Sequence, residues 1–264
     1  MECYSKLIVD LDGVVWRGGA PIMDNVEPLS SLLAGGAKIV FLTNNSTRTR
    51  ERYAEILSRL LGAPVRPEDV VTSGYSASEW LRKSRGCARV LVVGEHGLVS
   101  ELSRACHKPL TPPDWRDADA VVVGLDRGVC YRGLAAAHRA ILGGALFIAT
   151  NTDRNFPVEE GTEPGAGAIV ALLRESTGRE PDFDAGKPGG WILELALEKL
   201  GGGPALVVGD RVDTDMEMAR RHGLPGLLVL TGVTRSPPRG SWFRVVRSLS
   251  EAVVDGGRIC LGPQ

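Results

Sequence analysis

The chain has 264 residues, Lys+Arg 31 against Asp+Glu 32 for a formal net charge of −1, and a hydrophobic fraction of 43%. That composition excludes a disordered tail, which would combine few apolar residues with a large net charge, and a protein that grips nucleic acid by bulk positive charge. The length suits one large domain or two modest ones with a real core.

Arg supplies 25 of the basic residues and Lys only 6, spread along the whole chain, which reads as a coding bias with a thermal-stability component. Aromatics at 5% are too sparse for base-stacking platforms, so no nucleic-acid partner is expected. The cysteines Cys3, Cys87, Cys106, Cys130 and Cys260 are far apart, odd in number and without a C-x-x-C pair. They read as free thiols in a reducing cytoplasm, with neither a disulfide framework nor a structural zinc site. Behind Met1 no basic stretch leads into a long apolar run, so neither a signal peptide nor a membrane partner is expected.

In chain order, short β-branched runs at 7–11, 38–42, 89–93, 120–123, 145–149, 205–208 and 227–230 alternate with helical segments. Continuous apolar runs are expected of strands covered on both faces, so the chain reads as α/β with a largely parallel sheet. The first helix with clear punctuation spans 48–61 behind Thr47 and stops at Gly62. Polar or Gly-containing segments at 72–78 and 180–186 read as two hinges around an insertion of about a hundred residues. Pro188 opens a helix over 189–200, and Thr214 is placed to cap one over 215–222, whose last turn is Arg220-Arg221-His222.

The chemistry gathers where strands end. Asp10 and Asp12 share one side of the first strand's exit and repel one another unless a cation or proton intervenes. The 38–42 run leads into Thr43-Asn44-Asn45-Ser46, a hydroxyl and amides suited to phosphate. The 205–208 run leads into Gly209-Asp210, with Asp213 and Asp215 close behind, and Gly186-Lys187-Pro188 contributes one Lys in a Lys-poor chain. Carboxyl ends of parallel strands are where doubly wound sheets hold ligands, and the set forms a coherent Mg²⁺ and phosphate site. His96, His107, His138 and His222 have no ligand-like spacing. Gly165-Ala166-Gly167 lacks the third Gly and preceding strand of a dinucleotide fingerprint.

Asp10-x-Asp12-Gly13, Thr43-Asn44-Asn45, Lys187-Pro188 and Gly209-Asp210-x4-Asp215 resemble the four ordered motifs of the haloacid dehalogenase superfamily. Leu42-Thr43-Asn44-Asn45-Ser46, Ala149-Thr150-Asn151-x-Asp153, Pro164-Gly165-Ala166-Gly167 and Gly209-Asp210-Arg211-x-x-Thr214-Asp215 are most similar to its class IIA-capped branch of 4-nitrophenyl, phosphoglycolate and pyridoxal phosphate phosphatases. The resemblance runs from Leu7 to about Thr234. It implies a Rossmann-like doubly wound core from 1–75 and 183–264, and an inserted α/β cap over 76–182.

It further implies a phosphatase acting on small-molecule phosphate monoesters. Asp10 would be the nucleophile that forms an aspartyl phosphate, and Asp12 the acid and base. Mg²⁺ would sit on Asp10, the Asp12 carbonyl and Asp210. Thr43, the Asn44 and Asn45 N–H groups and Lys187 would hold phosphate, with Asp215 and Gly13 in support. Asp215 would orient Lys187 or a metal-bound water, or cap its own helix. In the cap, the 125–131 loop resembles a substrate-specificity loop, making Arg127 and Gly128 candidates, with Asn151 and Asp153 facing the cleft and Arg154 behind them. Caps of this branch often dimerise, so a homodimer through the cap is a further expectation. Two alternatives remain: a hydrolytic dehalogenase, which needs neither Asp12 nor the Asp210 site, and a non-enzymatic phosphoryl-acceptor switch, which needs no insertion.

Overall fold

The computed structural model describes residues 2–158 and 160–262, so the expected outer limits of the core, residues 1 and 264, lie outside the described residues. Two parallel sheets organise the molecule. The first runs in the order Arg244–Val246, Gly226–Val229, Leu206–Gly209, Lys6–Asp10, Lys38–Thr43, Val70–Thr72, every neighbouring pair parallel. The second runs Phe183–Asp184, Leu146–Ala149, Ala120–Val123, Arg89–Val93, Lys108–Leu110, also all parallel. The expected α/β, doubly wound architecture is what the chain adopts.

Each sheet is buried on both faces, and side-chain alternation sorts its residues between two cores. In the first, Leu7, Val9, Phe41 and Val208 pack one face with Tyr53 and Leu57 of the helix Arg50–Leu61, while Ile8, Val40, Leu42 and Val207 pack the other with Ile192 and Ala196 of Gly190–Lys199. In the second, Val121, Val123 and Phe147 face Tyr131–Leu142 and Ala166–Thr177, while Val90, Val122 and Ile148 face Ser73–Arg85 and His96–Arg104. Phe183–Asp184, which the sequence assigns to the core side of the boundary, pairs with the second sheet.

The strand Lys6–Asp10 has its sequence successor Lys38–Thr43 on one side and Leu206–Gly209, from the far end of the chain, on the other. Connections diverge from it to opposite faces, opening a crevice at its carboxyl end.

Local details depart from the sequence reading. The Arg50–Leu61 helix starts two residues later than expected because Thr49 supplies the cap, accepting from the Arg52 N–H at 3.2 Å, whereas Thr47 is tied to Asn45 Oδ1. Its end at Gly62 is as expected, with φ +63°. Thr214 does not cap a helix: it is buried inside a wide π-helical turn, Val212–Met216, closed by Met216 N–H on the Arg211 carbonyl, and the following α-helix is only Glu217–Arg221. In that turn the Asp215 carboxylate accepts the Arg211 N–H at 3.2 Å.

The cysteine reading is overturned. Cys3 is bonded to Cys260 and Cys87 to Cys106, leaving Cys130 free and exposed. Spacing along the chain excluded only local pairs, whereas the strand Glu2–Tyr4 pairs antiparallel with Arg258–Leu261 in a register that sets Cys3 opposite Cys260. Thiol titration of the unreduced, denatured protein is therefore expected to find one reactive thiol per chain, and a reductant to lower thermal stability by about 2–4 kcal/mol per bridge lost. Five titratable thiols without reductant would refute both bridges.

Candidate active site

Asp10, at the end of the central strand, is 6% exposed. Leu11 turns the chain tightly, taking N–H groups of Val14, Val15 and Trp16 on its carbonyl, and the turn carries Asp12 beneath Trp16. Trp16 Nε1 donates to Asp12 Oδ1 at 3.0 Å, and Thr43 Oγ1 donates to Asp12 Oδ2 at 3.3 Å. Asp12 thus has two fixed donors, of which the sequence suggested neither.

Lys187, 4% exposed, is placed by the loop before Gly190–Lys199. Its Nζ donates to Asp10 Oδ1 at 2.6 Å and to Asp215 Oδ1 at 2.7 Å, so one buried ammonium joins the first strand's end to the π turn. Of the three tasks expected of Asp215, orienting Lys187 is the one that this bond fits.

Asp210 follows the strand Leu206–Gly209 and is fully buried. Its Oδ2 accepts the Val233 N–H at 2.5 Å, while its Oδ1 is buried without any hydrogen-bond partner. Oxygens of Asp10, Asp210 and Asp215 lie within 4.8 Å of one another. Two glycines keep this ground clear: a Cβ on Gly13, whose φ is +92°, or on Gly232 would collide with the Asp210 carboxylate. Gly13 therefore belongs to the site through its backbone, and Gly232 is a member that the sequence motifs did not reveal.

Charge explains the protonation pattern. Burial pushes the Asp10 carboxyl well above its ordinary range, Lys187 pulling it down and the neighbouring Asp215, Asp210 and Asp12 pushing it up. Burial likewise raises Asp12, against its bonds to Trp16 and Thr43. Asp210 rises from 3.8 to about 7, first through burial and then through the Asp215 charge. Burial opposes the charge on Lys187 too, yet Asp10 and Asp215 together raise it, so the ammonium stays protonated. One ammonium does not neutralise four clustered carboxylates, and the remainder demands either protons or a cation. An orphaned buried oxygen among all-oxygen donors suits a hard divalent ion such as Mg²⁺.

The phosphate candidates surround this centre. Thr43 Oγ1 also accepts the Asn45 N–H at 3.0 Å, so that amide is committed within the loop. The Asn44 side chain is spent on structure: Oδ1 accepts the Lys187 N–H at 2.7 Å, and Nδ2 donates to Asp153 at 2.8 Å. Asn45 Oδ1 holds Thr47.

Asp10, Asp12, Thr43, Asn44, Asn45 and Lys187 line a cleft of about 530 Å³, facing Asn151, Asp153 and Arg154 of the inserted unit. Arg127 and Gly128 do not line it. Arg127 forms a bidentate pair with Glu95 at 2.7 Å, and the Gly128 N–H donates to Asp126 at 2.9 Å, so this loop is fixed to its own unit. Arg211, next to Asp210, does line the cleft and bonds Asp153 and Asp213. The motif Gly209-Asp210-Arg211-x-x-Thr214-Asp215 names it without giving it a role.

Known proteins are similar to this chain in sequence and fold. Residues 7–106 match the family model of haloacid dehalogenase-like hydrolases, and residues 184–252 a HAD-hydrolase-like model. D-glycerol 3-phosphate phosphatase of Mycobacterium tuberculosis is 42% identical over 231 residues, covering 87% of this chain and 64% of the relative. The p-nitrophenyl phosphatase from Archaeoglobus fulgidus superimposes with a TM-score of 0.84 at 35% identity, covering 94% of this chain and 97% of that one. A glycerol phosphate phosphatase from Mycobacterium tuberculosis, solved in complex with magnesium, gives a TM-score of 0.79 at 41% identity over 87% of this chain and 68% of that one. Sequence motifs, doubly wound core and shared structure agree: the chain belongs to the haloacid dehalogenase-like hydrolases, in the branch that contains the 4-nitrophenyl and glycerol phosphate phosphatases.

Proposed function

We propose that the chain is a Mg²⁺-dependent phosphatase that hydrolyses small-molecule phosphate monoesters through a phosphoryl group carried on Asp10. The observation that carries this reading is the pair of buried bonds from Lys187 Nζ to Asp10 and Asp215 beside the orphaned Asp210 oxygen. Asp10, Asp210 and the Asp12 main-chain carbonyl would hold the ion, which when bound supplies Lewis-acid neutralisation of phosphate oxygens.

The side chains divide the remaining work. Asp10 attacks phosphorus as the ester P–O bond breaks, with Asp12 giving its proton to the departing alkoxide. Asp12, now ionised, takes a proton from water as the water attacks phosphorus, and the bond to Asp10 breaks to release phosphate. The high position of the Asp12 carboxyl suits the first half of that cycle. Thr43 and the Asn44 N–H would meet the phosphate oxygens, and Lys187 offsets their charge.

Residues 76–182, joined by the edge strand Phe183–Asp184, act in this reading as a cap over a core made of 1–75 and the segment after Asp184, and also as the surface of a homodimer. The cleft of about 530 Å³ suits a metabolite-sized leaving group. Its lining mixes Asn151, Thr152, Asn155 and Thr162 with Phe156, Pro157 and Arg154, and glycerol, sugar, nucleotide and glycolate phosphates are the candidate substrates. No helix among the described residues is long and apolar enough to cross a membrane. We place the enzyme in the cytoplasm, where such esters are made. Its two disulfides have precedent there in intracellular proteins of hyperthermophiles.

With Mg²⁺, the protein is expected to turn over 4-nitrophenyl phosphate many times per chain, with activity abolished by EDTA and by Asp10→Asn. Asp12→Asn should cut turnover by about 10²–10⁴-fold while retaining Mg²⁺ binding. Stoichiometric labelling of Asp10 without phosphate release would favour the switch, and halide release from haloacids without metal would favour the dehalogenase. A panel of glycerol, sugar, nucleotide and glycolate phosphates tests the leaving group.

The shift of Asp210 sets a pH dependence. Its folded value of about 7 against 3.8 means that the folded, metal-free chain holds the extra proton between those values. The stability so gained is fully present below about pH 4 and is lost as pH rises through 7. Mg²⁺ binds the ionised carboxylate, so its stabilising effect should grow across the same window. Thermal melts with and without Mg²⁺ at pH 5.5 and pH 8 measure this, and an equal Mg²⁺ shift at both would contradict it. Lys187→Met is expected to abolish turnover and to destabilise the metal-free protein by about 3 kcal/mol, because two buried carboxylates lose their counter-ion. Urea unfolding reads that loss, and wild-type stability would show that the ion pair contributes nothing.

A further inference from the structure

Asp153 was expected to face the cleft as a substrate contact, but its carboxylate is already engaged with the core. Oδ2 accepts from Asn44 Nδ2 at 2.8 Å, and Oδ1 pairs with Arg211 at 3.1 Å. Those partners belong to different limbs of the centre. Asn44 holds both backbone groups of Lys187, its Oδ1 accepting the Lys187 N–H at 2.7 Å and its Nδ2 donating to the Lys187 carbonyl at 3.3 Å. Arg211 follows Asp210 directly, and its N–H donates to Asp215 at 3.2 Å. One carboxylate of the inserted unit therefore touches the limb that presents Lys187 and the limb that presents Asp210 and Asp215.

Its own backbone is held firmly. The Asp153 N–H donates to Asn151 Oδ1 at 3.1 Å, and the Asp153 carbonyl accepts the Gly167 N–H at 2.9 Å. A Cβ at Gly165 would strike the Asp153 carbonyl, and one at Gly167 the Thr152 carbonyl. The Gly165-x-Gly167 pair, unexplained by any nucleotide fingerprint, thus lets the helix Ala166–Thr177 close onto the 152–153 backbone. Asn151 Nδ2 donates to the Asn44 carbonyl at 2.7 Å, a second tie to the same core loop.

We propose that Asp153 is a positioning residue that ties the inserted unit to both catalytic limbs, so that seating that unit on the core sets Lys187 and the Asp210 limb for reaction. The proposal rests on the phosphatase reading above. Charge-assisted bonds to a fixed guanidinium and a fixed amide give the carboxylate a directional grip that a hydrophobic contact between the two units would lack. Because Arg211 is paired with Asp153 and Asp213, it acts as a strut between them.

The test compares Asp153→Ala, Asp153→Glu, Arg211→Ala and the Asp153→Ala, Arg211→Ala double variant, with 4-nitrophenyl phosphate and saturating Mg²⁺. Asp153→Ala is expected to lower kcat about 10–100-fold with an unchanged melting temperature, the range for removing a group that orients metal-site residues. The double variant should lose little more than the worse single one, because both act through one contact, and Asp153→Glu should recover part of kcat. Wild-type kcat in Asp153→Ala, or fully additive losses in the double variant, overturns the proposal. If the wild-type protein has no Mg²⁺-dependent turnover, the phosphatase reading fails instead. Small-angle scattering then tests the tie alone: a larger radius of gyration in Asp153→Ala than in wild type supports it, and superimposable profiles overturn it.

Discussion

The buried ammonium of Lys187, bonded at 2.6 and 2.7 Å to Asp10 and Asp215, is the interaction on which the rest of the centre depends. Gathering carboxylates in a water-poor crevice is costly, and a buried pair is stable only when its charges meet with good geometry. Two sheet-end loops and the 186–188 segment converge to provide that geometry. The wide turn Val212–Met216 carries Asp215 to the lysine, and the central position of Lys6–Asp10 puts Asp10 at the same point.

The ammonium answers only part of the negative charge, and the raised carboxyls of Asp10, Asp12 and Asp210 express the remainder. That deficit is what a divalent cation would relieve: an ion would be held where a carboxylate oxygen has no partner, and burial tips the Asp12 carboxyl toward its neutral form. Glycines matter here through close approach, since Gly13 and Gly232 leave room beside Asp210 that any side chain would fill.

The inserted unit adds one wall of the cleft and a tie. Its attachment to the core runs through the Asn44 side chain, which bridges Lys187 and Asp153. Contacts of this kind join residues from different elements, in the case of Asn44 with Asp153 and Lys187 more than a hundred positions apart in the chain. No local pattern encodes them, which is why Arg211, named within a motif, was given no role, and why Arg127, in the expected loop, proved to be engaged by Glu95.

The sequence by itself determined the parallel α/β class, the longer strands and the strand-end motifs, because apolar runs covered on both faces and polar residues at their exits are local patterns. It missed the short strands Val70–Thr72, Lys108–Leu110 and Arg244–Val246, which are too brief to carry a period. Tertiary structure alone decided the disulfides, the Trp16 and Thr43 bonds that hold Asp12, the π turn behind Asp215 and the tie through Asp153. Each depends on which distant backbones approach one another, and strand register and helix packing settle that only once the chain has folded.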